Sequence, residues 1–280
     1  MIIDFHTHIF PKSVREKREA CFSDEPGFEL LYKSLSSKLV GVDDLIRSMD
    51  EHHVDISVIF GFPWKNPDRI KSHNDYIMNA VARFPRRLVG FCCFDAGYEE
   101  SALETERCFV GGLSGVGELA FYTSEINEIA IKQLRPVMEI CRDNNAPVLI
   151  HTNEPVGHSY PGKTPNSLTG IYNLVKAFPE NKIVLAHWGG GLFFFNLLKK
   201  EVKEVTKNVY LDTAATPFLY DPQIYRFAQK LAGLEKILFG SDFPLIEPGR
   251  YFKEIKEAEL SDEEIKGICG ENAARLLNLL

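Results

Sequence analysis

Short apolar or β-branched runs alternate with longer amphipathic stretches along almost the whole chain. Eight runs read as strands: residues 2–5, 56–60, 88–94, 113–117, 147–150, 183–186, 209–211 and 237–240. Between most of them apolar positions recur at helical spacing, over 42–52, 69–84, 101–109, 125–144, 167–178, 193–205 and 222–231. Two further helices, 249–257 and 262–279, follow the last strand. The second is expected to break near Gly270, and a capping box of Ser261 and Glu264 opens it. Strand and helix in strict alternation imply parallel strands joined by crossovers. Eight such units predict a closed (β/α)8 TIM barrel, a single domain over residues 1–280 with extra C-terminal helices.

Two strand-to-helix loops are long. Residues 10–41 carry Phe10, Phe22, Phe28 and Tyr32 among charges and have room for a helix of their own. Residues 152–166 are rich in Gly and Pro. Loops of that length in a compact domain are usually functional, and in a barrel they lie on the C-terminal face.

Polar residues gather at that face. The first strand ends in His6-x-His8, whose alternation points both imidazoles the same way. Glu118 ends strand four, His151 strand five, His187 strand six and Asp242 strand eight. Alone, each has an ordinary explanation as a loop-edge histidine, a cap or a turn former. Together they converge on one small volume, where unpaired polar groups carry a desolvation cost that a divalent cation offsets. The other histidines carry less: His52 and His53 end a helix, His73 is expected to be exposed, and His158 is a candidate substrate contact in the strand-five loop.

Composition narrows the class. A hydrophobic fraction of 45% is enough for a large core. The net charge of −7 argues against nucleic acid or an anionic membrane as main partner. Six cysteines form no Cys-x-x-Cys pair, and Cys92 and Cys93 are expected to fill core space on the two faces of their strand. That usage fits a cytoplasmic protein, and no signal peptide is expected before a strand that begins at residue 2.

Asp4-Phe5-His6-Thr7-His8, His151, Ala186-His187-Trp188-Gly189-Gly190, Gly240-Ser241-Asp242-Phe243-Pro244 and the closing Gly270-Glu271-Asn272-Ala273-Ala274-Arg275-Leu276-Leu277 occur in this order along the chain. In that order the chain resembles the amidohydrolase superfamily, in its amidohydrolase 2 group of metal-dependent hydrolases and decarboxylases. The resemblance implies a divalent metal held by His6, His8, His151 and Asp242, with His187 as an acid/base or a second-metal ligand. Where binuclear members carry a carboxylated lysine, this chain offers Glu118, in a segment similar to that of TatD-like nucleases, so one or two ions are to be weighed. Nitrogen-rich ligation suits zinc, with manganese, iron, cobalt and nickel left open.

The expected activity is metal-dependent hydrolysis of an amide, ester or lactone in a small molecule. Asp242 would take a proton from the metal-activated water, and His187 would orient or protonate the substrate. The glycines after His187 would give N–H donors to an oxyanion. The alternative is non-oxidative decarboxylation of an aromatic or unsaturated acid, with His187 as proton donor. A third reading is a non-catalytic scaffold with a structural metal. Trp64, Lys65 and Arg69 are candidate carboxylate or ring anchors, and Phe218 and Tyr220 candidate pocket walls. Homodimers are common among such barrels, but no interface is legible.

Overall fold

The computed structural model describes residues 1–280. The eight strands are β1 (Ile3–His8), β2 (Ile56–Phe60), β3 (Leu88–Cys92), β4 (Gly115–Leu119), β5 (Val148–Ile150), β6 (Ile183–Leu185), β7 (Val209–Asp212) and β8 (Ile237–Leu238). All pair in parallel and in chain order. The ring closes where the Phe5 N–H donates to the Phe239 carbonyl and the His8 N–H to the Phe243 carbonyl, both at 2.8 Å.

Strands buried on both faces need apolar residues on both. Those pointing inward, such as Ile3, Phe5, Val58, Phe60, Phe91, Leu149, Val184 and Leu238, form a core of 12 buried residues. The last helix, Asn272–Leu276, adds Ala273, Ala274 and Leu276 to it. Outward residues join the surrounding helices in a second core of 55.

Two register shifts decide what faces the barrel mouth. Phe5 lies in the inner core, so strict alternation would turn His6 outward. The β1–β2 pairing slips between Asp4 and Thr7, and this irregularity brings His6 inward as well. The β4–β5 pairing slips between Val116 and Leu119. Gly117 sits there at φ +132°, where a Cβ would lie 2.4 Å from the Leu149 carbonyl oxygen. Only glycine fits, and Glu118 turns into the barrel beside it.

The helices mostly lie where periodicity predicts, with three differences. The predicted 193–205 helix is absent: His187 to Gly191 all take positive φ, a 3-10 segment follows, and only Val202–Val205 is α-helical. Near Gly270 the terminal helix widens into a π turn over Gly267–Glu271 rather than breaking. A Cβ at Gly270 would lie 2.2 Å from the Met1 carbonyl oxygen, so β1 packs directly on that turn. The 10–41 loop holds three short helices, Lys12–Glu16, Arg18–Cys21 and Pro26–Tyr32. No helix is long and apolar enough to cross a membrane.

Candidate metal centre

Four imidazoles meet at the C-terminal ends of β1, β5 and β6, and each has one ring nitrogen already committed. His6 Nδ1–H donates to Asp212 Oδ2 at 2.7 Å. His8 Nδ1–H donates to the Gly61 carbonyl at 3.3 Å, His151 Nε2–H to the Gly162 carbonyl at 2.9 Å and His187 Nδ1–H to the Ala214 carbonyl at 2.9 Å. A carbonyl only accepts, so these contacts place a proton on one nitrogen of each ring and turn the other toward the barrel mouth, where His151 Nδ1 lies 2.9 Å from Glu118 Oε1 and His6 Nε2 lies 3.2 Å from His8 Nε2, both within hydrogen-bond distance.

Those second nitrogens face the Glu118 carboxylate from two sides. Oε2 lies 3.7 Å from Nε2 of both His6 and His8. Oε1 lies 2.9 Å from His151 Nδ1 and 3.8 Å from His187 Nε2. Asp242 Oδ1 approaches the first pair, 3.5 Å from His6 Nε2 and 3.4 Å from His8 Nε2. Potential ligand atoms cluster within 4.8 Å of one another in three sets: His6, His8 and Glu118; His6, His187 and Asp242; Glu118, His151 and His187. All six rim residues expected from the sequence are thus brought together, in a donor set of nitrogens and carboxylate oxygens that fits divalent metal.

The electrostatics demand positive charge. Burial opposes charge on Glu118, yet the His6 and His151 imidazoles hold its carboxyl well below the usual range. Burial also works against protonating His6, but Glu118, Asp212 and Asp242 push it up to about 10. His187 is lowered, by burial and then by His151.

Two contributors were missed. Asp212 ends β7, one residue beyond the predicted strand. It accepts from His6 and, through Oδ1, from the His187 backbone N–H at 2.8 Å. A carboxylate at the seventh strand end was the available signal. Asp4, fully buried, accepts the Ser241 backbone N–H at 2.8 Å and the Ser241 hydroxyl, so it ties β1 to the loop that carries Asp242. Burial pushes its carboxyl up to about 7.

A cavity of about 610 Å³ opens over the cluster. Tyr32, Phe62, Tyr122, Phe218 and Leu245 form its walls, and His158 and Lys38 stand among its polar lining. Several expected substrate contacts lie elsewhere. Trp64 is 1% exposed and donates Nε1–H to His73 Nδ1 at 2.7 Å, since its apolar body packs on Phe28 and Phe62. His73, expected at the surface, is itself buried between Trp64 and the Ile9 carbonyl. Lys65 extends over the surface to Thr123, and Arg69 is held by Asp24, the Ala20 carbonyl and the Cys21 thiol. The cavity cation is instead Lys38, exposed and without a carboxylate partner. Tyr220 does not line the cavity. Nor do the glycines after His187: a Cβ at Gly190 would lie 2.3 Å from the Asn153 carbonyl oxygen, so Gly190 serves close packing on the strand-five loop.

The sequence model of the Amidohydrolase family matches residues 3–279. No curated protein matches the chain. Among solved structures the fold is similar to 5-carboxyvanillate decarboxylase from Sphingomonas paucimobilis, with 17% identity, TM-score 0.77 and coverage of 99% of this chain and 98% of that one. It is similar to dihydroxybenzoic acid decarboxylase from Polaromonas sp. JS666, which holds manganese and 2-nitroresorcinol, with 19% identity, TM-score 0.73 and 99% and 97% coverage. It is also similar to a Pseudomonas putida protein assigned as a 2-pyrone-4,6-dicarboxylic acid hydrolase, with 18% identity, TM-score 0.69 and 99% and 97% coverage. At these identities the likeness is one of fold. The match along nearly the whole chain, on a barrel whose strand ends carry this donor set, places the protein in the amidohydrolase family.

Proposed function

We propose that this chain is a metal-dependent hydrolase of a small, carboxylate-bearing ester, amide or lactone, with two divalent ions as its full complement. The observation that carries the reading is the Glu118 carboxylate, one oxygen toward His6 and His8 and the other toward His151 and His187. His6, His8 and Asp242 would hold one ion and His151 and His187 the other, with Glu118 between them. Zinc suits four imidazoles; manganese, present in the dihydroxybenzoic acid decarboxylase structure, is the competitor. When bound, such ions supply Lewis-acid activation of water and of a substrate carbonyl.

The protein's own groups do the rest. Asp242, open to the cavity, accepts the proton released as water attacks and passes it to the leaving group. His187 turns Nε2 toward Glu118 while Ala214 holds its Nδ1–H, which supports a ligand role for it in this reading; the same Nε2 is the atom that would carry the proton in the decarboxylase reading. Phe62, Tyr122 and Phe218 exclude water around the substrate body, and Lys38 receives its carboxylate. The size of the cavity beside the cluster weighs against a purely structural metal.

Decarboxylation is the second reading. It is favoured by the names of the structural neighbours, which include several decarboxylases of aromatic acids. One experiment separates the two: metal equivalents on the wild type and on Glu118→Ala, with CO2 and acid release measured on a panel of aromatic acids, lactones and esters. Hydrolysis predicts two equivalents falling to one, and acid without CO2. A single equivalent with CO2 release overturns it in favour of decarboxylation.

A further inference from the structure

The loop after β5, residues 152–166, has no helix or strand, yet it is closed on itself by side chains. Lys163 does most of this. Its side chain is 16% exposed, and its Nζ donates to Glu154 Oε1 at 2.9 Å, to the Val156 carbonyl at 2.6 Å and to the His158 carbonyl at 3.3 Å. An ammonium has three N–H bonds, and all three are used inside one loop. Tyr160 donates its hydroxyl to the other Glu154 oxygen at 2.8 Å, and its ring lies 5.8 Å from Nζ. At the loop base Asn153 Oδ1 accepts from the Thr164 N–H at 2.8 Å and its hydroxyl at 2.6 Å. The residue just before Lys163 is Gly162, whose carbonyl accepts the Nε2–H of His151 at 2.9 Å.

We infer that Lys163, acting with Glu154 and Tyr160, is a positioning residue that holds the Gly162 carbonyl against His151, and so keeps the Nδ1 edge of the His151 ring turned toward Glu118. The ordered loop is part of the metal centre, although none of these three side chains reaches it. The inference deepens the two-ion reading and rests on it for its effect on affinity. It makes a separate claim about the His151 ring that does not depend on ion count.

The test compares wild type, Lys163→Met, Lys163→Arg and Tyr160→Phe, with circular dichroism to show that each is folded. Zn(II) affinity is read by chelator competition, and the His151 Nε2–H by 15N-resolved proton NMR on zinc-loaded protein. The wild type should show a slowly exchanging Nε2–H on His151. Lys163→Met should lose it and bind its second zinc about 10- to 100-fold more weakly, the range for lost support behind a ligand, with the first zinc unchanged. Lys163→Arg should recover part of the affinity, and Tyr160→Phe should show a smaller loss. A folded Lys163→Met with an unchanged His151 Nε2–H overturns the inference. If the wild type takes up one zinc only, the two-ion reading fails, and the NMR signal alone decides the role of Lys163.

Discussion

A buried imidazole flanked by three carboxylates holds a proton unless another cation displaces it. Burial disfavours the charge on His6, but Glu118, Asp212 and Asp242 push it up to about 10. At pH 7 the metal-free protein therefore carries His6 protonated, and a metal ion must expel that proton. Calorimetric titration in buffers of different ionisation enthalpy should show at least one proton released per first ion bound. Because the folded value lies above the unfolded 6.5, this charge stabilises the metal-free fold fully below about pH 6.5, and the contribution is lost as pH rises through about 10. Asp212 fixes the ring through Nδ1. Asp212→Asn should lower metal affinity about 10- to 100-fold, measured by chelator competition.

At the scale of elements, His73 joins the Pro67–Arg83 helix to the end of β1 and to Trp64. One nitrogen accepts from Trp64 and the other donates to Ile9, so a second proton has no place to go. Burial lowers it to about 4. A folded value below the unfolded 6.5 means stability falls as pH drops from 6.5 to about 4, by roughly 3 kcal/mol at most. His73→Phe should be less stable at pH 7 by about 1–3 kcal/mol, from the unpaired Trp64 N–H. It should also lose less between pH 7 and pH 5 in urea denaturation. Sequence alone shows His73 as one polar position early in a helix, and its partners lie 9 and 64 residues away. The same limit separates what was legible in the fold from what was not. Eight strands and most helices could be read, because apolar periodicity is local. The slips at His6 and Glu118 could not, since each is a property of a strand pair. The 193–205 segment has helical spacing but follows five positive-φ residues and never forms the helix. The rim set was legible because each member ends a predicted strand. Lys38 was not, because nothing in the 10–41 loop announces which side chain returns to the cavity.

For the whole molecule, the packing of strands and helices is carried by two apolar cores of 55 and 12 buried residues. The barrel should therefore survive chelation. Metal at about 1,000 times its Kd stabilises by about 4 kcal/mol, so EDTA should lower the thermal midpoint by several degrees without loss of helical circular dichroism. An unfolded EDTA-treated chain would make the metal a folding requirement. The closure of β8 on β1 also has a consequence for synthesis. His6 and His8 leave the ribosome more than two hundred residues ahead of Asp242 and the Ser241 that Asp4 grips. During translation the nascent chain thus exposes a bare histidine pair that the finished barrel encloses. On the proposed metal reading, an ion would meet only weak, exchangeable contacts at that pair, and secure retention should come only after the last strand has emerged.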